Sequence, residues 1–381
     1  MDLVPTGTII QKLRAAPLNL TRPLGITDLG LRAYWSLRRE IERLLQSNNC
    51  DVVFMTGWPF YQMLLSHYIK RVFRVPIVLD FQDPWVSGFG AAQPTLSKAS
   101  LSYRLAKMLE PRAVRCADFV TSVSDIQNAE MAARYPWLDR ARMAAIPIGG
   151  DPDDFAVTRL KALENDESDL EPGFVHLSYV GTFLPKSGPL VRALFRAFVR
   201  FRSSEPALAA RIRLNFIGTS NQATDRNAYR VRAIAESEDV ADAVREIPWR
   251  VPYLQALKVI VESSGLLLIG SDEPHYTASK IYPALMSRRP YLSLFHRASS
   301  AHAILSSAGG GRTLAFETQE ELDALEASLA DGLRTLALHP DSLGIADPAA
   351  FAPYEARNIT KRFSDIFNRV ASTHTFGFAQ A

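Results

Sequence analysis

Two stretches of the chain set a lysine beside glycine-containing turns, a combination suited to holding a phosphate. The first is His176-Leu-Ser-Tyr-Val-Gly181-Thr182-Phe-Leu-Pro-Lys186-Ser-Gly188-Pro, followed by apolar residues at helical spacing from Leu190 to Phe201. A strand that breaks at Gly181, a loop with Lys186 and a helix N-terminus would aim backbone N–H groups, a helix dipole and a cation at one anion. An ordinary strand-to-helix turn with a solvated lysine reads the same letters. The second is Gly270-Ser-Asp272-Glu273-Pro-His275-Tyr-Thr-Ala-Ser279-Lys280-Ile-Tyr-Pro283. Ser279 is suited to cap a helix running on through Met286, and Lys280 near its first turn has the wrong sign for the helix dipole unless an anion is bound. Without an anion, Lys280 would reach Asp272 or Glu273 as a surface pair of little value.

A different chemistry is written earlier in the chain. Thr56-Gly57-Trp58-Pro59-Phe60 and Asp80-Phe-Gln-Asp83-Pro-Trp85 each put aromatic and polar residues directly after an apolar run. Aromatic faces stack on sugar rings and carboxylates accept from hydroxyls, so Trp58, Phe60 and Trp85 with Asp83 suit a polyol site. Core packing is the competing reading for each tryptophan taken singly. Other catalytic templates fail: the seven histidines lack metal-ligand spacing, and neither a Gly-x-Ser-x-Gly elbow nor a Walker loop occurs. No metal site is expected.

These residues need elements to hold them. Short apolar runs at Asp51–Met55, Ile77–Phe81, Phe119–Val123, Ala144–Ile148, Val175–Val180, Arg213–Ile217, Leu266–Ile269 and Tyr291–Leu294 alternate with helix-period segments, the pattern of parallel α/β sheets. Ligands of such sheets bind beyond the carboxyl ends of strands, where the residues above lie. A helix is expected over Leu29–Leu45 and another with a core-facing stripe at Val191, Leu194, Phe195 and Phe198. Between Gly150 and Gly173 the chain turns acidic and loses periodicity, so a solvated linker is expected there. The opening, residues 1–47, lacks the strand and glycine-rich turn that begin a Rossmann-like half.

Composition narrows the function. At 381 residues with 47% hydrophobic, the chain is globular, with two or three domains or one very large one. The 43 basic and 40 acidic residues leave a net +3, too balanced for a protein whose affinity depends on many phosphate contacts, so no nucleic-acid partner is expected. Two cysteines make no disulfide framework, which favours a reducing, cytoplasmic compartment. The longest strongly apolar run, Gly265 to Gly270, is far short of the ~20 residues that span a bilayer, so membrane contact would be peripheral.

Together the motifs resemble those of GT-B glycosyltransferases, in particular the family 4 group of retaining enzymes, from about Asp51 to Val370. Asp80-Phe-Gln-Asp-Pro-Trp85 is similar to that group's Asp-Phe-Arg-Asp-Pro-Trp, and Val123-Ser124 to its Val-Ser-Glu turn. Ile146-Pro-Ile-Gly149-Gly-Asp151 resembles the Ile-Pro-Asn-Gly-Val-Asp that ends the first domain. Tyr179-Val-Gly181-Thr182 with Lys186 and Gly188 resembles the opening of the donor domain, and Ile247-Pro-Trp-Arg250-Val251-Pro-Tyr253 the loop that holds the nucleotide base. The chain departs from the pattern where the group has two glutamates, here His275 and Pro283, and where it often has a phosphate arginine, here Thr182.

The resemblance implies an α/β protein of the GT-B class, two Rossmann-like domains facing across a cleft, the first incomplete. Residues 1–150 would form the acceptor side, 151–172 a linker, 173–350 the nucleotide-sugar domain, and 351–370 a helix crossing back. The implied activity is retaining transfer of a hexosyl unit from a UDP- or GDP-sugar to a glycan or lipid-linked acceptor, without metal or other cofactor, in cell-surface polysaccharide synthesis. Gly181, Thr182, Lys186, Arg250, Val251, Asp272, Glu273, Ser279 and Lys280 would bind donor, Trp58, Phe60 and Trp85 acceptor, and Asp83 would act at the reacting sugar. An incomplete sheet would expose an edge or apolar patch, so poor solubility or a dimer that covers it is expected, and any contact with the inner membrane face would be peripheral. The rivals are a catalytically degenerate scaffold of the same fold and a nucleotide-sugar epimerase, for which no clear acid/base set is present.

Overall fold

The structure, a computed structural model, describes residues 29–47, 50–57, 60–160, 169–220, 222–273 and 278–378. It divides into two compact units, one of residues 1–148 and 360–381, the other of residues 149–359. The expectation for the opening strand falls largely on residues outside this description, and helix Leu29–Ser47 occupies the stretch expected to be helical.

In the first unit four parallel strands, β1 (Val53–Gly57), β2 (Ile77–Phe81), β3 (Phe119–Ser122) and β4 (Met143–Ala145), lie in chain order among the described residues. Helices Leu65–Val72, Lys98–Val114 and Asp125–Arg134 make the crossovers that parallel neighbours require. All five residues of β2 are buried, including Asp80, whose carboxylate accepts from Thr56 Oγ1 on β1 at 3.1 Å and from Thr121 Oγ1 on β3 at 2.6 Å. A buried carboxylate is retained because hydroxyls on both flanking strands satisfy it. The last strand is shorter than Ala144–Ile148, although Ile146 N still donates to Ser122 O at 2.7 Å.

The second unit holds six parallel strands: β5 (Val175–Val180), β6 (Ile212–Ile217), β7 (Val244–Ile247), β8 (Gly265–Ile269), β9 (Tyr291–His296) and β10 (Gly311–Phe316). Their spatial order is β10-β9-β8-β5-β6-β7, so the chain winds outward from β5 in one direction and from β8 in the other. Helix Gly188–Ser204 buries Leu190, Val191, Leu194, Phe195, Phe198 and Phe201 against the sheet. Its basic face is paired rather than free: Arg192 and Arg196 both meet Glu238, and Arg202 meets Asp242 at 3.1 Å.

Two expectations need correction. Strands β7 and β10 escaped the sequence reading because each is only half-buried and carries charged or small residues among its apolar ones. The acidic stretch after Gly150 opens as helix Pro152–Leu160, which buries Phe155, and not as a solvated linker. Asp151 Oδ1 accepts from Asp153 N at 3.0 Å, proline follows the capping residue, and Asp153 and Asp154 favour the positive end of the helix dipole. The C-terminal helix runs over Ala356–Phe378, with residues 352–354 a tight turn before it. On the first unit its Arg362 reaches Ala145 O, its Arg369 covers the Phe119 ring at 4.6 Å, and Phe363 and Phe367 pack on Phe54.

The second unit begins and ends at one place. Gly150 N donates to Tyr354 O at 3.1 Å and Ala356 N to Gly150 O at 2.8 Å. A Cβ on Gly149 would overlap the Tyr354 carbonyl oxygen. Because that obstacle is backbone, Gly149→Ala is expected to destabilise the protein by roughly 1–3 kcal/mol or more. Gly88→Ala, with nothing within 4 Å of the new Cβ, should be neutral or slightly stabilising; urea denaturation of the two variants checks both.

Candidate active site

The reversal of strand order between β5 and β8 makes a crevice at their carboxyl ends, because the helices that follow them leave toward opposite faces. The ladder between the two strands covers only Leu177–Gly265 and Ser178–Leu266, stopping before either strand ends. Both lysine-bearing stretches found in the sequence open here: Gly181–Gly188 follows β5, and Gly270–Glu273 follows β8 with Lys280 beyond it. They are tied directly, Ser187 Oγ donating to Gly270 O at 2.6 Å with both residues buried.

Within the crevice Gly181 has φ +136°, a conformation that glycine alone adopts without strain. Its open Cα face looks onto Lys280, whose Cε would be 3.6 Å from a Cβ there. Lys280 Nζ sits 4.0 Å from the centre of the Tyr179 ring and donates to the Tyr179 hydroxyl and, at 3.4 Å, to Thr182 O. Tyr179 Oη in turn donates to Thr182 O at 2.8 Å. Burial lowers the pKa of Lys280 to about 7. Lys186 is exposed, and it is Lys186, not Lys280, that meets the acidic residues, 3.1 Å from Glu273 and 3.9 Å from Asp272. Ser279 is exposed and does not cap: helix Ile281–Met286 starts after Lys280 without a side-chain cap.

Arg250 and Val251 stand farther along the same edge. Backbone bonds join the loops in series, Phe183 N to Thr219 O at 2.8 Å, Ser220 N to Pro248 O at 2.7 Å and Arg250 N to Gln222 O at 3.2 Å. Val251 packs on Ile217, Ile247 and Val259, the small cluster that also receives Val180, while Arg250 is exposed. Glu246 on β7, which the sequence reading passed over, anchors this region by accepting from the backbone N–H groups of Arg230, Val231 and Arg232 at 2.8 to 3.0 Å. Tyr179 and Ser187 were also passed over; the signal for Tyr179 was its place on the strand immediately before Gly181.

In the first unit Asp83 lies two residues past β2, exposed, with no hydrogen bond or ion pair among the described residues. Partial desolvation by the surrounding protein raises its pKa. Trp85 is only 8% exposed, stacked on Phe60 at 5.5 Å and met edge-on by Tyr61 at 5.8 Å, the surroundings of a packing residue. Phe60 is half-buried against it, and Trp58 lies outside the described residues. The loop that carries Asp83 is fixed from below by Glu110, fully buried, which accepts from Val86 N at 3.1 Å, Arg134 at 3.0 Å and Tyr135 Oη at 2.8 Å. Burial and the Glu110 charge raise the Tyr135 pKa, so the phenol stays protonated.

With this geometry in view, comparison with known proteins is decisive for the fold. Residues 11–149 match the model of the glycosyl transferase 4-like domain. A UDP-forming α,α-trehalose-phosphate synthase from Burkholderia xenovorans superposes with TM-score 0.61 at 14% identity, covering 90% of this chain and 79% of that one. The chain has the GT-B fold. Sucrose-phosphate synthase from Thermosynechococcus elongatus gives TM-score 0.58 at 13% identity, over 90% of this chain and 79% of that one. Anabaena HepE in complex with UDP gives 0.56 at 12%, over 88% and 82%. No curated protein sequence matches the chain. In this GT-B protein Pro283 lies inside helix Ile281–Met286, so a carboxylate is indeed absent from that helix, and His275 lies outside the described residues.

Three outcomes are expected. Glu110→Ala should cost about 3–5 kcal/mol in urea denaturation, because it leaves a half-buried arginine and a buried phenol without their acceptor. Lys186→Ala, which breaks only exposed pairs, should change stability by less than about 0.5 kcal/mol. Lys280 binds fewer protons folded than unfolded between pH about 7 and the ordinary lysine value near 10.4, so stability should rise with pH across that window. Lys280→Met should remove that part of the slope in denaturation series from pH 7 to 10.

Proposed function

We propose that the protein is a glycosyltransferase that binds a nucleoside diphosphate sugar at the carboxyl edge of the second sheet and transfers its hexosyl unit, with retention, to a glycan or lipid-linked acceptor. The observation that carries this reading is the meeting of Gly181–Gly188 with Gly270, Glu273 and Lys280 at the β5/β8 reversal, with two lysines and an open glycine face. A leaving diphosphate needs its developing charge stabilised, and Lys186, Lys280 and the loop amides are placed for that without a metal. Val251 and Arg250 are assigned the nucleoside end, a reading supported by their place on the loop after β7 at the same edge. UDP is the first nucleotide to test, since structures similar to this one are described as UDP-forming or hold UDP. Asp83 is assigned a polar contact to the sugar or acceptor, and the acceptor's class fits a role in cell-surface polysaccharide synthesis in the cytoplasm, at the inner membrane face where the acceptor is lipid-linked.

A second reading has a specific observation behind it. Pro283 occupies a helix position where the resembled group carries a glutamate, which favours a scaffold that binds nucleotide without turnover. Calorimetry with UDP, GDP and ADP tests binding, and mass analysis of products from UDP-glucose and GDP-mannose tests turnover. Binding with slow donor hydrolysis supports the transferase; binding without any hydrolysis or transfer supports the scaffold. Replacing Lys186 and Lys280 together by alanine is expected to weaken diphosphate binding about ten- to a hundredfold, the loss of charge-assisted contacts worth roughly 1.5–3 kcal/mol.

A further inference from the structure

The first unit carries its charge differently from the second. Its four strands lie in chain order, so crossovers of one hand put helices Leu65–Val72, Lys98–Val114 and Asp125–Arg134 on one face of the sheet. Met55, Leu79 and Val120 of that face pack with Leu65, Ile69, Ala106 and Ala113 of the first two helices. The C-terminal helix takes the other face, against Phe54 and Phe119.

Helix Lys98–Val114 turns Ala106, Glu110 and Ala113 inward, which leaves Arg104, Lys107, Met108 and Arg112 exposed on its outward side, continued by Arg115. Helix Leu65–Val72 adjoins it: Ser66 Oγ donates to Ala113 O at 3.2 Å, and the His67 ring nitrogen lies 3.6 Å from Cys116 Sγ. That helix ends in exposed Arg71 and Val72, with Arg74 just beyond. Among the described residues none of Arg71, Arg74, Arg104, Lys107, Arg112 and Arg115 meets a carboxylate, because the acids of this region are taken, Asp118 by Lys70 at 2.6 Å and the buried Glu110 by Arg134 at 3.0 Å. The basic stripe of helix Gly188–Ser204 is the opposite case, with Arg192 and Arg196 on Glu238, Arg200 on Glu326 and Arg202 on Asp242.

Apolar side chains stand among the unpaired cations. Met108 is 50% exposed, Val72 52% and Trp137 40%, and the Arg115 guanidinium lies over the Trp137 ring at 4.9 Å. A soluble polyanion would meet the cations and gain little from these three. A bilayer with anionic headgroups uses both kinds of group: the cations meet phosphates, while the tryptophan ring and the stems of lysine and arginine lie in the interfacial layer. A second copy of the chain fits poorly, since a two-fold contact would set like charges against each other.

We propose that the outward face of helices Leu65–Val72 and Lys98–Val114, bordered by Trp137, docks on an anionic lipid surface. The inference stands on this face and not on the donor site, so either can fail without the other.

Sedimentation of the full chain with vesicles tests it. Binding to vesicles of equal parts phosphatidylglycerol and phosphatidylcholine is expected to be at least about tenfold tighter than to phosphatidylcholine alone. It should be lost as salt rises from about 0.1 to 1 M and the Debye length shrinks from ~10 to ~3 Å. Replacing Arg104, Lys107 and Arg112 together by glutamine should weaken it about a hundredfold, near fivefold for each cation. Removing as many cations from surface pairs of the second unit, Arg200→Gln with Arg232→Gln and Arg297→Gln, should change it by less than about twofold. Met108→Ser should weaken it by roughly fivefold through lost apolar burial, and Met108→Leu should restore it. Each variant is checked for native circular dichroism. A parent that binds neither vesicle or both alike, or an equal loss in the two triple variants, overturns the inference. Undiminished binding by Met108→Ser, with displacement of the parent from vesicles by soluble polyglutamate, also overturns it and assigns the face to a polyanion in solution.

Discussion

The direction in which the chain winds away from β5 and β8 decides where this molecule can do chemistry. Two strands that are neighbours in space send their loops to opposite faces, and the gap between those loops cannot be filled by either helix. Ser187 closes the bottom of that gap by donating to Gly270 O, which ties the two loops to each other. Everything assigned to the donor depends on this arrangement: Gly181 faces the gap, Lys280 leans into it from the β8 side, and Lys186 bridges its mouth to Glu273.

Much of this was legible in the amino-acid sequence, for physical reasons that differ by element. Strands with buried interiors, such as Ile77–Phe81 and Val175–Val180, write themselves as short runs of β-branched, aliphatic and aromatic residues despite Asp80, His176 and Ser178, and were located to the residue. Val244–Ile247 and Gly311–Phe316 are edge strands of the six-stranded sheet, and an edge leaves room for Arg245, Glu246 and Arg312, so they read as loops. The acidic run at 151–154 was legible as polar but not as a helix start, since the same residues serve turns and caps alike.

The pairing of charges was harder to read. Sequence proximity suggested that Lys280 would meet Asp272 or Glu273, eight and seven residues before it. The crevice instead gives those carboxylates to Lys186 from the other loop and turns Lys280 toward a tyrosine on the strand floor. Local spacing carries no information about which of two facing loops supplies the partner. The same limit applies to Asp80 and Asp83, one a carboxylate satisfied by threonines on both flanking strands, the other exposed three residues later. Only strand register separates the two roles.

The crossing at Gly149 and Gly150 has a bearing on how such a molecule is put together. Residues 149–359 form one uninterrupted stretch whose first and last segments are hydrogen-bonded to each other, Gly150 with Tyr354 and Ala356. The second unit is therefore a continuous insertion with adjoining ends, flanked in sequence by the two segments of the first unit. A segment of that kind can be lifted out, joined end to end or opened at a new loop with few added residues. The genetic unit and the compact unit coincide for the second unit, whereas the first is assembled from two pieces and needs the C-terminal helix to be synthesised before it is whole.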